Sequence, residues 1–470
     1  MDGCVMIALP EAFVQRMRCQ LEDELPAFLR ALEEPPVRGI RLNPFKPSPL
    51  TEPYREGERI PWEENGFLLP EDSPAGSTLA HEAGAFYLQE PSAMLPARVM
   101  NALPGERLLD LCAAPGGKAT QLGIMMGGEG LLVCNEPVPK RAEILRGNLE
   151  RMGISNAIVT CHEPELLARR WPEAFDGVLV DAPCSGEGMF RRDPETRKEW
   201  TAERAEGCAG RQREILRSAQ RLVRPGGRLV YSTCTYHPAE NEEMIEWFLA
   251  SFPAFQPEAF SLPGMDAPNG MATCFPHLIR GEGQFVAKLR KTGEPHRPEE
   301  RQDGSPKRGM ERQGGNRRQS AENQQGIPPA TAQEKRALAE AFPAFPEATH
   351  RIGNLLVHLE DPCSLEGIHF LRAGLPLAEI RGRTLIPDHS LAMALQPPEA
   401  PRKELTLEEA CRYLAGETLP GEERGWLLMS CEGLVLGWGK GSDGIIRNHY
   451  PKGLRKVHLK GVDHRIGGER

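Results

Sequence analysis

The sequence lacks the features that would place it in a membrane or outside the cell. No run of apolar residues is long enough to cross a bilayer. No basic leader precedes the short apolar stretch at its start, so we expect no secretion signal. The 470 residues are 40% hydrophobic and 26% charged, which is ordinary for a globular protein. We therefore expect a cytoplasmic protein of two to four domains.

The cysteines lack the spacing that metal sites and disulfide scaffolds require. There are twelve in 470 residues, and no two of them form a C-x-x-C pair. We therefore expect free thiols in a reducing compartment and no metal site. Without further context, any single cysteine is best interpreted as a small buried hydrophobic residue.

The chain also lacks an overall excess of positive charge. Its net charge is −9, which argues weakly against nucleic-acid binding because phosphate contacts need cations. Local basic stretches lie at 38–46, at Arg191-Arg192 and at 452–460, and they favour a polyanionic partner only together with other evidence. Internal repeats and coiled-coil heptads are absent too, so we expect a monomer.

Short apolar strands alternate with helical patterns from about residue 96 to residue 291. Such alternation predicts a mostly parallel sheet covered by helices on both faces. A helix is predicted from Pro139 to Met152, with Gly153 ending it. The predicted strands are Arg107–Leu111, Gly130–Asn135, Ala157–Cys161, Gly177–Asp181, Gly227–Thr233 and Gly283–Leu289.

Three further segments flank this α/β unit. Residues 1–95 begin with an amphipathic helical pattern, in which Phe13, Met17, Leu21 and Leu25 recur every four residues. Residues 292–335 have almost no large apolar side chains, which predicts a flexible linker. Residues 336–470 regain an apolar pattern, and 425–440 read as a β-hairpin.

A glycine turn joins the first strand of the α/β unit to a helix. It runs from Asp110 to Lys118, and Gly116 and Gly117 would let the backbone approach a ligand closely. The turn matches neither a dinucleotide-binding nor a phosphate-loop motif, yet its place suggests a nucleotide-like cofactor, and a tight strand–helix turn without a ligand is the alternative. Glu136 ends the second strand, where a carboxylate can accept hydrogen bonds from ribose hydroxyls. Glu163, beyond the third strand, could bind an adenine amino group.

Two cysteine-bearing turns end the fourth and fifth strands. Cys184 follows Asp181-Ala182-Pro183, and Cys234 follows Ser232-Thr233. Because the carboxyl ends of adjacent parallel strands line one crevice, we expect the two thiols to face each other across it. Inert core cysteines and a dithiol redox pair are the alternatives.

Two thiols beside a cofactor suit the methylation of a pyrimidine. Carbon 5 of the ring attacks a methyl sulfonium only after a thiolate has added to carbon 6, and a base must later remove the carbon-5 proton. Asp181 could act as an acid near ring nitrogen 3. The residues therefore predict a methyltransferase that bonds covalently to its substrate.

At these motifs the chain resembles the Sun/RsmF-type RNA (cytosine-5) methyltransferases. The segments that carry the resemblance are LDLCAAPGGKATQL, VDAPCSGEGMFRRDPE and VYSTCTYHPAENE, with RGIRLNPFK, FYLQEPSAMLPA and GWGKGSDGIIRNHYPKGLRK outside the core. The resemblance implies that Cys234 is the nucleophile and that Cys184 promotes product release, with Asp181 and Lys118 as further catalytic residues. It also implies a set of contacts to S-adenosylmethionine: Cys112, Ala113, Ala114, Pro115, Gly116, Gly117, Lys118, Glu136, Glu163 and Asp181.

The resemblance also implies an architecture. We expect a Rossmann-like class I methyltransferase domain at 96–291, a small α+β RNA-binding module at 1–95, and a PUA-like, β-rich RNA-binding region at 336–470. Its RsmF branch implies 16S ribosomal RNA, alone or in the small subunit, as the substrate, without DNA or membrane partners.

Three rival interpretations remain open at this point. The enzyme could act on transfer RNA. It could use Cys184 as its nucleophile, as the DNA cytosine methyltransferases use a Pro-Cys motif. It could also be a ribosome-assembly factor that binds RNA without catalysis.

Overall fold

The structure is a computed structural model that describes residues 8–293, 327–360, 365–394 and 399–456. The predicted linker (292–335) and the basic tail (452–460) therefore lie partly outside the described residues. The elements of the N-terminal part are α1 (Glu11–Leu21), α2 (Leu25–Glu33), β1 (Arg38–Leu42), α3 (Glu52–Arg55), β2 (Gly66–Leu69), α4 (Leu79–Glu82) and β3 (Phe86–Leu88). The three strands form an antiparallel sheet in the order β2-β1-β3.

The predicted N-terminal helix is interrupted in the structure. All four residues of its apolar stripe are buried, as the spacing predicts. However, α1 ends at Leu21, Glu22 adopts a φ of 45°, and Pro26 lies in the first turn of α2. A proline cannot continue the ladder of backbone hydrogen bonds, so a single helix through this segment was the wrong prediction.

The central part carries a nine-stranded sheet and its covering helices. Its elements are α5 (Leu95–Met100), β4 (Arg107–Asp110), α6 (Gly117–Met125), β5 (Leu131–Asn135), α7 (Pro139–Met152), β6 (Ala157–Thr160), α8 (Pro164–Arg170), β7 (Phe175–Asp181), α9 (Glu195–Glu199), α10 (Ala202–Leu222), β8 (Val223–Thr233), α11 (Glu242–Ser251), β9 (Phe255–Pro257), β10 (Phe260–Leu262), β11 (Met265–Ala267), β12 (Met271–Cys274) and β13 (Gln284–Lys291).

Five strands at the centre of this sheet are parallel, in the order β8-β7-β4-β5-β6. Strand β13 lies antiparallel beside β8. All six predicted strands are present, and the Rossmann-like α/β architecture is confirmed. Helix α7 spans the predicted residues, and Gly153 ends it with a φ of 81°.

The C-terminal part contributes mostly strands. Its elements are α12 (Ala332–Ala341), β14 (His350–Ile352), β15 (Leu355–His358), β16 (Phe370–Ala373), β17 (Leu375–Arg381), β18 (Thr384–Pro387), α13 (His389–Met393), β19 (Arg402–Glu404), α14 (Leu407–Ala415), β20 (Leu419–Pro420), β21 (Gly425–Cys431), β22 (Leu434–Ser442) and β23 (Ile445–Asn448). The end of the predicted linker is helical, because α12 begins at Ala332.

The predicted hairpin is formed by β21 and β22. Its two-residue turn has positive φ at both Glu432 and Gly433, at 50° and 80°, which is the geometry of a type I′ turn. One strand of the C-terminal part, β16, leaves its neighbours and pairs with β6, so it extends the edge of the central sheet.

The N-terminal and C-terminal parts share one hydrophobic core. Ile40 and Phe86 of the N-terminal sheet belong to the same cluster of buried residues as Tyr413, Leu434 and Leu436 of the C-terminal part. The two predicted accessory regions therefore pack against each other. Among the described helices, none has the length and apolar character needed to cross a membrane.

Candidate active site

A cavity opens where the parallel strands end. Strands β5 and β7 lie on opposite sides of β4, and ligands of open α/β sheets bind at such a switch point. The cavity has a volume of about 710 Å3, within the range of ligand sites. Seven predicted site residues line it: Cys112, Ala114, Glu136, Glu163, Asp181, Cys184 and Cys234.

The two cysteine-bearing turns meet at this cavity. The Sγ atoms of Cys184 and Cys234 are 3.3 Å apart. Two further contacts join the turns: the hydroxyls of Ser185 and Thr235 lie 2.8 Å apart, and the backbone N–H of Gly188 donates to the carbonyl of Cys234 at 2.9 Å. The predicted juxtaposition of the two thiols is thus present in the structure.

The surroundings of the Cys184 thiol affect its protonation. Hydrogen bonding with the Cys234 sulfur, reinforced by burial, raises the pKa of the Cys184 thiol well above its ordinary value. Cys184 therefore keeps its proton at neutral pH and can donate its S–H to the Cys234 sulfur.

Asp181 lies beside the thiols at the end of β7 and is held on three sides. Lys118 Nζ is 2.7 Å from its Oδ2, and the Ser232 hydroxyl donates to its Oδ1 at 2.7 Å. The Gln284 amide donates to the same oxygen at 3.3 Å. Burial lowers the pKa of Lys118, but the Asp181 carboxylate more than offsets this, so the net shift is upward. These contacts fix the Asp181 carboxylate, which lines the cavity, in one position.

The two glycines of the predicted cofactor turn differ in their surroundings. Gly116 has a φ of 116°, which favours glycine, whereas Gly117 begins α6. A Cβ on Gly117 would lie 3.2 Å from the Gln89 amide nitrogen, so this glycine allows the N-terminal part to approach. Cys112 and Ala114 line the cavity; Ala113, Pro115, both glycines and Lys118 are not among its lining residues.

Two glutamates lie at the opposite end of the cavity from the thiols' strands. The Glu136 carboxylate is buried, accepts from the Val138 N–H at 3.0 Å and lies 3.2 Å from Arg141 Nη1. Glu163 precedes α8 and is exposed. Its neighbour Glu165 also lines the cavity, but it pairs with arginines at 2.9 and 3.4 Å. The carboxylate of Glu165 is therefore held in ion pairs with arginines, whereas Glu163 is the exposed carboxylate beside it.

Sequence reasoning did not single out Asp110 by itself. Its carboxyl group is buried at the end of β4, and neither oxygen accepts a hydrogen bond of normal geometry from the described residues. Burial, reinforced by the charge of Asp181, raises its pKa to about 7. An acidic residue that ends an apolar strand was the available signal. Gln284 gave no such signal, because it reaches Asp181 only through strand pairing.

Helix α1 contacts the segment that follows Cys184 through an ion pair with a buried carboxylate. Arg16 of α1 lies 2.6 Å from the fully buried Glu187 carboxylate. That carboxylate also accepts from the Trp200 indole N–H at 2.9 Å and from the Tyr236 backbone N–H at 3.1 Å. Glu187 therefore links α1 to the segments on which both cysteines lie.

Among the described residues, no group of three or more His, Cys, Asp or Glu side chains is arranged to hold a metal ion.

Comparisons with known families match three segments of the chain. Residues 97–290 match the family described as 16S rRNA methyltransferase RsmB/F. Residues 9–91 match the N-terminal domain of 16S rRNA methyltransferase RsmF, and residues 400–456 match the RsmF PUA domain.

Individual relatives carry the same description. Ribosomal RNA small subunit methyltransferase F of Klebsiella pneumoniae (strain 342) is 33% identical over 486 residues, which cover 95% of this chain and 97% of that protein. The protein of the same name from Escherichia coli O127:H6 is 40% identical over 306 residues, which cover 61% and 64% of the two chains.

Two solved structures from Pyrococcus horikoshii share the fold. A methyltransferase homolog protein is 29% identical with a TM-score of 0.53, covering 61% of this chain and 96% of that one. NSun6 with SFG is 21% identical with a TM-score of 0.54, covering 62% of this chain and all of that one.

Proposed function

Because this chain belongs to the family of ribosomal RNA small subunit methyltransferase F, we propose that Cys234 and Cys184 divide its reaction into addition and release. The enzyme is an S-adenosylmethionine-dependent methyltransferase that acts on carbon 5 of a cytosine in 16S ribosomal RNA. One observation supports the division of labour above all others: the 3.3 Å approach of the two sulfurs at the cavity that Asp181 also lines.

The raised pKa of Cys184 supports the order in which the two cysteines act. Cys184 keeps its proton, since the Cys234 sulfur and burial raise its pKa. In the proposed reaction the Cys234 sulfur adds to carbon 6 of the cytosine as a thiolate, and the electron pair of the 5,6 double bond moves to carbon 5. Once the Cys234 sulfur is bonded to carbon, the largest cause of the raised Cys184 pKa is lost, so Cys184 can release its proton to water and then act as a base.

Release reverses the addition. After carbon 5 has gained a methyl group, Cys184 as a thiolate removes the proton from carbon 5. The electrons of that C–H bond re-form the 5,6 double bond, and the Cys234–carbon 6 bond breaks to return a thiolate. Asp181, held by Lys118 at 2.7 Å, lies beside the thiols to interact with ring nitrogen 3, and the cytosine must leave any base stack to reach it.

The cavity fits S-adenosylmethionine, which supplies an electrophilic methyl group when it is bound. Glu136 is a buried carboxylate positioned after the second parallel strand, where ribose hydroxyls bind in related sheets. Glu163 is an exposed carboxylate near the same wall. Among the described residues, none donates a hydrogen bond of normal geometry to the Asp110 carboxyl group, which lies next to residues that line the cavity. A positive charge bound nearby would therefore favour its ionised form. Cys112 and Ala114 also line the cavity.

The accessory parts provide candidate contacts to the RNA strand. On the C-terminal hairpin, Lys440 Nζ lies 5.2 Å from the centre of the Trp426 ring, and His449 lies 4.4 Å from it. Burial lowers the pKa of His449, and the positive charges of Lys440, Arg381 and Arg447 lower it further. Aromatic rings among cations suit unpaired RNA bases and phosphates. A cytoplasmic site of action follows from a ribosomal substrate, and a monomeric state remains a prediction.

The test is to supply the purified protein with S-adenosylmethionine and, separately, 16S ribosomal RNA, assembled small subunits or transfer RNA. Mass spectrometry of the digested RNA should show 5-methylcytosine in the ribosomal substrate. Methylation of transfer RNA alone would overturn the substrate assignment. Binding to ribosomal RNA without any methylation would support the assembly-factor interpretation instead.

A further inference from the structure

The buried side chains of Glu240 and Gln212 form hydrogen bonds with the residues on either side of Cys184, and they do not line the cavity. Glu240 accepts a hydrogen bond from the backbone N–H of Ser185 at 3.0 Å and another from the Gln212 amide at 2.7 Å. The same Gln212 nitrogen donates to the carbonyl of Pro183 at 3.1 Å. The residues immediately before and after Cys184 are therefore both tied to one amide–carboxylate pair.

This pair is itself anchored to the strand that carries the other cysteine. Glu240 and Gln212 are both fully buried. The Tyr231 hydroxyl, on β8, donates to the backbone carbonyl of Glu240 at 2.7 Å. Cys234 directly follows β8, so the pair fixes the Cys184 turn relative to the strand end that sets the position of Cys234.

The two cysteines depend on this pair to different extents. The chain just before Cys234 is fixed by backbone pairing, since Thr233 of β8 lies opposite Phe285 of β13. None of the described strands pairs with residues 183–185 of the Cys184 turn, and Glu240 and Gln212 supply hydrogen bonds on both sides of it. Removing the pair should therefore displace Cys184 more than Cys234.

We infer that Glu240, acting with Gln212, is a positioning residue that holds Cys184 for the release step. The inference rests on the proposed function, because it assigns a role within that reaction. A displacement of about 1 Å at a reacting group can slow a step by about 100-fold. Release would be slowed while addition by Cys234 continues, so the covalent protein–RNA adduct would accumulate.

The experiment compares Glu240→Ala with Glu240→Gln in the full-length protein. The glutamine retains a side-chain oxygen that can accept from Ser185 and Gln212, whereas the alanine has none. Each variant is incubated with small-subunit RNA and S-adenosylmethionine, and methyl turnover and gel-shifted adduct are measured together. Glu243→Ala is the matched control, since it removes an exposed carboxylate three residues further along.

For Glu240→Ala we expect turnover to fall at least tenfold while the adduct fraction rises at least fivefold above that of the wild type. Glu240→Gln should recover most of the turnover, and Glu243→Ala should match the wild type. A parallel loss of turnover and adduct, or unchanged turnover, would overturn the inference. A merely structural role cannot raise the adduct fraction, because adduct formation needs bound RNA and an intact Cys234.

Gln212→Leu provides a second test, in case Glu240→Ala does not fold. It removes the contacts to both Pro183 and Glu240 and should also accumulate adduct. If both variants unfold, the pair serves stability and the inference is wrong. Cys184→Ser is run alongside: if it accumulates no adduct, the proposed function fails, whatever the Glu240 variants do.

Discussion

Arg16 offers the most informative test of how the N-terminal part serves the active site. Its guanidinium lies 2.6 Å from Glu187 Oε2, and Glu187 is fully buried. The same oxygen accepts from the backbone of Tyr236, two residues after Cys234. Arg16→Met keeps most of the aliphatic length and removes the charge, its hydrogen bond to Glu187 and its contacts with the Phe13 and Trp200 rings, whose centres lie 5.4 and 5.8 Å away.

The expected loss of stability follows from the burial of the two partners. Removing one partner of a fully buried pair costs about 3 to 5 kcal/mol, because the other charge is left uncompensated. The Arg16 side chain is 20% exposed, and Trp200 and Tyr236 still donate to Glu187. We therefore expect Arg16→Met to lower the free energy of unfolding by about 2 to 4 kcal/mol. A drop in kcat on the order of tenfold should accompany it, through displacement of the Cys234 turn.

Urea denaturation and methyl-transfer kinetics measure the two effects. Arg18→Met, on the exposed side of α1, is the control and should be near neutral. A double-mutant cycle with Glu187→Gln should give a coupling energy of about 2 kcal/mol between the two residues. Coupling below about 0.5 kcal/mol would refute the reasoning, since independent sites add to within that margin.

Three further predictions concern the cavity. Lys118→Met should lower the rate constant of methyl transfer, measured in single-turnover assays, on the order of 100-fold, because Asp181 loses the cation that holds it. A decrease of less than threefold would contradict this prediction. Gly116→Ala should lower the free energy of unfolding, measured by urea denaturation, by about 1 to 3 kcal/mol, because a φ of 116° is strained for alanine. The control is Gly147→Ala, in open space on α7, which should raise the free energy of unfolding by about 0.5 to 1 kcal/mol. Asp110 binds its proton more tightly in the folded state, with a pKa raised from 3.8 to about 7. The free energy of unfolding of the wild type, relative to that of Asp110→Asn, should therefore fall by up to about 4 kcal/mol as the pH rises from 4 to 7. A difference between the two proteins that does not change with pH would show that this carboxyl group is not desolvated.

The sequence allowed the site to be predicted where a local pattern determines the structure. Parallel strands place their carboxyl ends at one edge, so Cys184 and Cys234 could be brought together from two apolar runs and the turns that follow them. Helix α7 was predicted to the residue because Pro139 and Gly153 mark its ends and its buried stripe is regular.

The remaining features depend on contacts between distant segments. The break after Leu21 is encoded by Pro26 but was masked by a regular apolar spacing. No local pattern indicates that β16 pairs with β6, or that the N-terminal and C-terminal parts share a core. The hydrogen bonds that Gln212 and Glu240 make on either side of Cys184 could not be predicted either, since each residue lies on a helix or turn far from Cys184 in sequence.

The central claim is that the Cys234 sulfur bonds to carbon 6 of the target cytosine and that Cys184 reverses this bond. The most direct measurement is tandem mass spectrometry of the adduct formed by Cys184→Ser with 16S ribosomal RNA and S-adenosylmethionine, after digestion of both protein and RNA. We predict a methylated cytidine attached to the peptide that contains Cys234, and no adduct from Cys234→Ser. A nucleotide attached to any other residue, or an adduct that persists in Cys234→Ser, would contradict the account.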